Sequence, residues 1–243
     1  MPVTQIANQK PGVVGVDPSL RPVMRVLTIP LVLFCLILLS VTTVLFNLLQ
    51  NYTVAQRAET SLADLEYRMW RAIESHRETL ISIEKLVSEQ AELKAMLMAR
   101  DRRGLLIALQ PYYHDLNQRL GVSHFYLHDP DMVNVVRLHW PERYGDQIQR
   151  QTALDAHLLG ETVTGMELGG MGTYTLRVVT PVRHQGEVLG YVELGTEVED
   201  IAARATVGEQ VRWVAFIYKK LIAETDWQAG ADMLNRQYDW HTF

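Results

Sequence analysis

The stretch HFYLHDPDMVNVVRLHW, at residues 124–140, concentrates side chains that could do chemistry. It contains three histidines, two aspartates and one arginine among aromatic residues and valines. Imidazole and carboxylate groups can ligate a metal ion or transfer protons, whereas a guanidinium group can hold a carboxylate through two parallel hydrogen bonds. Whether these side chains catalyse a reaction or recognise a ligand depends on the elements that position them.

A metal centre would require His124, His128, His139 and Asp129 to converge. His124 and His128 are four residues apart on a predicted strand, which separates them by about 13 Å. Two imidazoles at that distance cannot bind one ion unless the chain turns between them. We therefore predict no metal ligands and no cofactor.

The sequence also lacks the motifs of common catalytic sites. It contains no G-x-S-x-G, H-E-x-x-H or Walker-type loop. The segment GGMG at 169–172 lies between two predicted strands, where a hairpin turn is expected. Glu193 and Arg177 are expected to form a structural ion pair rather than an acid–base couple. These observations predict a protein without catalytic residues.

Composition excludes two further classes of function. The net charge is −5 and the pI is about 5.9, which disfavours a nucleic-acid-binding protein because such proteins usually present a basic face. Cys35 is the only cysteine and lies in an apolar run. A disulfide within the chain, a thiolate zinc site and a cysteine nucleophile are therefore excluded.

Residues 26–49 form a run without charged side chains. As a helix this run would be about 36 Å long, enough to cross a hydrocarbon core of about 30 Å. Lys10, Arg21 and Arg25 precede it, and basic residues stay on the cytoplasmic side. The pattern predicts a cytoplasmic tail at 1–25, a signal anchor at 26–49 in the inner membrane, and a periplasmic segment at 50–243.

Helical sequence follows the predicted anchor. Residues 53–100 contain neither glycine nor proline, and their apolar residues recur every three or four positions. The resulting apolar seam needs a partner, which we expect to be the sheet, a second copy in a homodimer, or both. A second helix should begin after Asp101 as its cap and end at Gly121, with Pro111 kinking or restarting it. The two helices occupy the predicted region 50–120.

From Ser123 the apolar residues recur with a period of two, which predicts an α+β, PAS-like module at 121–200. A helix ending at Gly160 should separate the second strand from the third. Residues 211–225 are expected to start a strand–turn–strand, as part of an incomplete membrane-proximal module at 201–243. The five strands of the main module are predicted at 123–129, 134–140, 162–168, 173–184 and 187–198.

Each of these strands has an apolar face and a face of unusual polar residues. The polar face carries His124, Tyr126 and His128, then Arg137 and His139, then Thr173, Thr175 and Arg177, and finally Tyr191 and Glu193. A solvated face would instead carry Lys, Glu, Gln and Ser, although a sheet open to water on one side remains the alternative. Recognition of an anion requires Arg137 and Arg177 to share one shielded face.

The run HFYLHDPDMVNVVRLHWPERYGD, followed by ETVTGMELGGMGTYTLRVVTPVRHQGEVLGYVELG, resembles the extracytoplasmic double Cache sensor domains of bacterial chemoreceptors and sensor kinases. The preceding LMARDRRGLLIALQPYYHDLNQRLGVSHF is similar to their long helix and its turn into the sheet. The resemblance covers about residues 50–225. It implies a membrane-distal PAS-like module that binds a small ligand, often a carboxylate or an amine.

The resemblance also implies which side chains hold the ligand. Tyr126, Arg137, His139 and Arg177 stand at the positions where the family's ligand would be held. Tyr191 and Glu193 would form the far wall of that pocket. Relatives of this kind continue into a complete proximal module, a second span and a cytoplasmic output domain. The sequence lacks these parts, so we expect a fragment of such a receptor or a relative that signals through a partner.

Two classes of function remain open. The first is a membrane-anchored sensor in which a small anionic ligand of the carboxylate type shifts the long helix during signal transduction or chemotaxis. The second is a membrane-anchored assembly protein, in which the helix is a coiled-coil stalk and the α+β module docks a protein. Thermal stabilisation by a small ligand would distinguish the first class from the second.

Overall fold

The computed structural model describes residues 21–208, 211, 215–236 and 240. Most of the predicted cytoplasmic tail, residues 1–20, lies outside the described residues. The chain divides into two compact units between Ala63 and Asp64. The first helix, α1, is assigned to Arg21–Ser88.

The first unit contains an apolar segment that is long enough to cross a membrane. Within the described residues, the window Val26–Thr53 meets the length and composition of a span, and none of it is buried. The hydroxyl of Thr43 and the amide of Asn47 donate to backbone carbonyls one turn earlier in the helix. Polar side chains that bond to their own helix in this way are compatible with an apolar environment.

The second unit is an α+β domain built on one five-stranded antiparallel sheet of order β2-β1-β5-β4-β3. The predicted fold class, the five strands and the helix between the second and third strands are confirmed. The strands are β1 Val122–His128, β2 Asn134–Arg137, β3 Val163–Leu168, β4 Tyr174–His184 and β5 Glu187–Glu197. The other helices are α2 Ala91–Met98, α3 Arg102–Leu120, α4 Gln151–Leu159, α5 Val198–Ala205 and α6 Glu224–Met233.

The apolar face of the sheet packs against helices α1, α2 and α3. Phe125 and Leu194 from the sheet and Leu80 and Leu105 from the helices belong to one buried cluster. Burying a side chain of this size contributes about 1.5–3 kcal/mol each. The sheet is therefore a partner of the predicted helical seam, whereas Leu62 near its start is 66% exposed.

The long helix ends earlier than the sequence indicates. Helix α1 ends at Ser88, and Gln90 is extended before α2 begins. After this interruption, Leu93 and Leu97 of α2 are buried in the core. The interruption has no glycine or proline, so this gain in tertiary packing is what overrides the local helix propensity.

The helix ends follow the predicted capping chemistry. The Asp101 side chain accepts a hydrogen bond from the Gly104 amide at 2.9 Å, and Gly121 has the left-handed φ of 74° that ends α3. Gly160 ends α4 in the same way with φ 67°. Helix α3 is continuous through Pro111, so it does not restart there.

The prediction of a strand–turn–strand at 211–225 is wrong for the residues that the structure describes. Lys219–Leu221 form a 3₁₀ turn and α6 begins at Glu224. Residues 212–214 lie outside the described residues. Alternation over so short a segment is a weak signal, because an isolated strand pair gains little without a sheet to join.

Candidate functional site

Strand register brings the polar side chains together around Tyr126. Tyr126 pairs with Arg137 on β2 and with Glu193 on β5. The guanidinium carbons of Arg137 and Arg177 lie 5.5 and 5.9 Å from the centre of the Tyr126 ring. The two arginines therefore share one face of the sheet, as the alternation predicts. We call the surrounding residues the arginine–histidine cluster: His124, Tyr126, His128, Arg137, His139, Arg150, Arg177 and Glu193.

The cluster is shielded from solvent. Tyr126, Arg137 and Arg177 are 3%, 5% and 1% exposed. Helix α4 covers this face of the sheet, where its Ala153 packs in a buried group with Tyr191. The alternative of a sheet face open to water is therefore wrong.

Arg150 completes the cluster, and the sequence analysis missed it. Its guanidinium carbon lies 4.6 Å from the centre of the Tyr126 ring, nearer than either of the other two arginines. Arg150 is the N-cap residue of α4, so it reaches the sheet from the covering helix rather than from a strand. Strand alternation carries no signal for such a residue.

Glu193 is the carboxylate that pairs with two arginines and one histidine of the cluster. Its side chain is fully buried, and its Oε1 accepts from Arg177 Nη1 at 2.7 Å. Its Oε2 accepts from Arg150 Nη2 and from His128 Nε2, the latter at 2.8 Å. Burial alone would raise the pKa of Glu193, but the charge of Arg150 and the hydrogen bond from His128 hold it well below its usual value. Glu193 is therefore ionised, and the expected ion pair with Arg177 is confirmed.

Arg137 is bound on the other side of Tyr126. Its Nη1 donates to Asp146 at 2.7 Å and to the backbone carbonyl of Arg143 at 2.8 Å. Its Nη2 donates to the second oxygen of Asp146. This bidentate pair fixes the position of Arg137 and uses most of its donors.

The three histidines of the cluster are neutral at pH 7. Burial lowers the pKa of His124 well below its usual value and also lowers that of His128. Burial, together with the charges of Arg137 and Arg177, lowers the pKa of His139 to about 3. His139 Nδ1 accepts a hydrogen bond from the Phe125 amide at 3.3 Å. Because a neutral imidazole carries one proton, that proton is on Nε2 of His139.

Several donors in the cluster have no hydrogen-bond partner among the described residues. They include Nε of Arg150 and Nε2 of His139, both buried. Nε of Arg177 also lacks one, although it lies 3.5 Å from an oxygen of Glu167. Glu167 itself accepts from the hydroxyl of Thr152 in the first turn of α4. Buried donors without partners are rare and costly in native proteins, so an acceptor placed at these atoms would be stabilised.

The remaining predicted site residue, Tyr191, lies on the same face beneath α4. Its hydroxyl is 3.3 Å from His157 Nδ1, and its backbone pairs with that of His128. Its hydroxyl therefore contacts α4. Among the described residues, no group of three or more metal-ligating side chains converges.

Residues 55–239 match the family described as the double sensory domain of two-component sensor kinase, dCache_3. The match covers about three quarters of the chain, and domains of this family bind ligands rather than catalyse reactions. No curated protein sequence matches the chain significantly.

Several solved structures are similar to this chain at low sequence identity. The extracellular domain of a protein named as the histidine kinase vpHK1S-Z8 has 18% identity and a TM-score of 0.51, covering 63% of this chain and 62% of that chain. The Escherichia coli DcuS sensor domain has 16% identity and a TM-score of 0.47, covering 55% of this chain and 97% of that chain.

A third structure is the ligand-binding domain of the Campylobacter jejuni chemoreceptor Tlp3 in complex with 4-methylisoleucine. It has 10% identity and a TM-score of 0.39, covering 60% of this chain and 62% of that chain. The chain thus spans less than two thirds of the vpHK1S-Z8 and Tlp3 domains. By its family match and its fold, this chain belongs to the double Cache sensory domains of two-component sensor kinases.

Proposed function

We propose that this chain is a membrane-anchored sensor domain that binds a small carboxylate at the arginine–histidine cluster. The observation that carries the proposal is the pair of unpaired donors, Nε of Arg150 and Nε2 of His139, beside Tyr126. Both are N–H groups, so the ligand must supply acceptors. A carboxylate supplies acceptor oxygens and a negative charge that guanidinium groups stabilise.

Each residue has a defined role in this proposal. Arg150 is the most exposed of the three arginines, with 18% of its side chain accessible, so it meets the ligand first. Tyr126, His139 and Arg177 line the binding position. Glu193 is ionised and would repel a carboxylate, so it orients Arg150 and Arg177 instead.

Two of the expected ligand residues act at a distance in this proposal. Arg137 is held by Asp146, and its guanidinium group lies over the Tyr126 ring. Tyr191 supports α4 above the cluster.

Helix α1 contacts the strand that carries Glu193, which gives ligand binding a route to the helix. Glu84 of α1 accepts from the Leu194 amide of β5 at 2.6 Å. His76 of α1 bonds the Thr196 hydroxyl of β5 at 2.9 Å. Alternate residues of β5 thus face the cluster and the helix. A ligand that binds more tightly when β5 is in one of two positions would therefore shift the equilibrium position of α1.

The membrane topology is part of the proposal. Residues 26–49 span the inner membrane, residues 1–25 are cytoplasmic, and residues 50–243 are periplasmic. The apolar helix and the basic residues that precede it support this orientation. The exposed start of the seam, including Leu62, supports a homodimer through α1. Residues 201–243 form part of a membrane-proximal module in this proposal.

Thermal unfolding of the full chain in lipid nanodiscs tests the ligand site. The probes are acetate, lactate, malonate, succinate, malate and citrate. We expect at least one of them to raise the midpoint temperature of unfolding. The corresponding gain in the free energy of unfolding should approach RT ln(1+[L]/Kd). The Arg150→Gln variant should lose that increment, because it removes the charge and the unpaired Nε.

The matched control is Arg103→Gln, which alters an exposed arginine on α3. It should keep the full ligand-induced increment. An increment that survives in Arg150→Gln would contradict the site. A midpoint that none of the six carboxylates moves would contradict the ligand class.

Labelling of single cysteines tests the topology. In a Cys35→Ser background, Glu92→Cys places a thiol on an exposed position of α2. A membrane-impermeant maleimide should label this variant in cells whose outer membrane alone is permeabilised. Lys10→Cys should be labelled only after lysis of the inner membrane. The reverse labelling pattern would show that the orientation is wrong.

A further inference from the structure

A cavity lies at the start of β4, and no residue of the arginine–histidine cluster lines it. It has a volume of about 430 Å³, within the range of about 300–1,000 Å³ typical of small-molecule sites. The start of β4 and α5 form one wall, and residues from the C-terminal segment form the other. Its apolar lining includes Met69, Tyr174, Val198, Phe216, Ile222 and Trp227.

Close packing fixes the two walls relative to each other. A Cβ atom on Gly230 of α6 would overlap the backbone carbonyl oxygen of Met171. A Cβ atom on Gly172 would lie 2.6 Å from the indole ring of Trp227. Helix α6 therefore rests directly on the turn between β3 and β4, and the cavity is a defined space rather than a loose gap.

Most charged groups that line the cavity already have partners. Arg236 donates to Glu199 and Asp200. The Lys219 ammonium donates to the Trp240 carbonyl and lies 5.2 Å from the centre of the Trp240 ring. These groups are not free to bind a charged ligand.

Glu197 differs from these groups. The residue is 2% exposed and lines the cavity. Its Oε1 accepts from the hydroxyls of Ser123 and Thr175, both at 3.1 Å. Among the described residues, its Oε2 makes no hydrogen bond. Burial, partly offset by the charge of Arg177, raises the pKa of Glu197 to about 7. A raised pKa is expected for a buried carboxylate that has no cation paired with it.

We infer that this cavity binds a small organic ammonium ion with an apolar body, whose cationic group pairs with Oε2 of Glu197. A buried carboxylate is stabilised by an opposite charge within about 4–6 Å. Tyr174, Phe216 and Trp227 supply aromatic rings that attract a cation electrostatically and bury the apolar body. This site selects the opposite charge from the carboxylate site, which it adjoins where Oε1 of Glu197 lies 3.4 Å from Nδ1 of His124.

Isothermal titration of the full chain in lipid nanodiscs tests the inference, with empty nanodiscs as the blank. The probe is 2-phenylethylamine, compared with its neutral analogue 2-phenylethanol. The amine should bind, and the alcohol should bind at least about 10-fold more weakly because it lacks the charge. Absence of amine binding, or equal affinity for the alcohol, would overturn the inference.

Variants identify the carboxylate. Glu197→Gln should weaken amine binding by about 10- to 100-fold, whereas Glu199→Gln should change it little because Glu199 already pairs with Arg236. Equal affinity in Glu197→Gln and the wild type would overturn the inference. Arg150→Gln should leave amine binding unchanged, so failure of the carboxylate site and failure of this site are distinguishable.

A second variant covers the case in which Glu197→Gln fails to fold. Phe216 lines the cavity but is 87% exposed, so Phe216→Ala should fold normally. It should weaken amine binding by about 3- to 10-fold through the lost aromatic contact. Unchanged amine affinity in this variant would overturn the inference.

Discussion

Replacement of Arg177 by methionine should lower the free energy of unfolding by about 3–5 kcal/mol, because it removes one partner of a buried ion pair. Arg177 is 1% exposed and holds Glu193, whose side chain is fully buried. The variant leaves the Glu193 carboxylate with fewer donors in a site that excludes water. Urea unfolding of the full chain in nanodiscs, followed by tryptophan fluorescence, measures the change.

An exposed ion pair provides the matched control. Arg119 pairs with Asp115 one turn away, with 76% of the arginine side chain exposed. Arg119→Met should cost less than about 1 kcal/mol, since exposed pairs contribute little. Adding Glu193→Gln to Arg177→Met should cost less than the two single changes combined. Similar losses for Arg177→Met and Arg119→Met would show that the buried network contributes no special stability.

Replacement of Glu84 by glutamine should make the domain progressively more stable than the wild type as the pH rises. Burial raises the pKa of Glu84 well above its ordinary value, while hydrogen bonds from Thr180 and Leu194 only partly oppose this. In the folded state Glu84 therefore keeps its proton, whereas the unfolded chain loses it near pH 4.5. This contribution to stability is complete below that pH and is lost as the pH rises towards the folded pKa.

The expected size follows from linkage. Between the unfolded and folded pKa values, the wild type should lose about 1.4 kcal/mol per pH unit relative to Glu84→Gln. Urea unfolding at several pH values between 5 and 8, in steps of about one unit, measures the difference. The control, Glu78→Gln, changes an exposed glutamate of the same helix and should show no such trend. A pH-independent difference for Glu84→Gln would contradict a protonated Glu84.

The local architecture could be predicted from the sequence because its signals are local. Alternation of apolar and polar residues identified all five strands and the face shared by Tyr126, Arg137 and Arg177. Capping chemistry identified Asp101 and Gly121 as the ends of α3. These features depend on backbone geometry over a few residues, which sequence patterns report directly.

The parts that could not be predicted depend on tertiary contacts. Arg150 joins the cluster only because α4 folds over the sheet, and nothing in its own neighbourhood indicates this. The interruption at Gln90 exists because α2 gains burial on the core. Glu84 and His76 were more accessible to prediction, since they interrupt the apolar seam at helical spacing from Leu80.

In our proposal, the polar face of this sheet binds the ligand through its buried donors that lack hydrogen-bond partners among the described residues. Glu193 and Asp146 hold Arg177 and Arg137 in fixed positions, so the proposed binding would need little reorganisation of these side chains. The neutral His139 contributes a donor without adding charge. In our proposal, the same strand that carries Glu193 passes the effect of binding to α1 through Glu84.

A crystal structure of the chain with the carboxylate that gives the largest thermal stabilisation tests the central claim most directly. The account predicts carboxylate oxygens within hydrogen-bond distance of Nε of Arg150 and Nε2 of His139, above the Tyr126 ring. A carboxylate bound elsewhere, with both of these donors still unpaired, would contradict it.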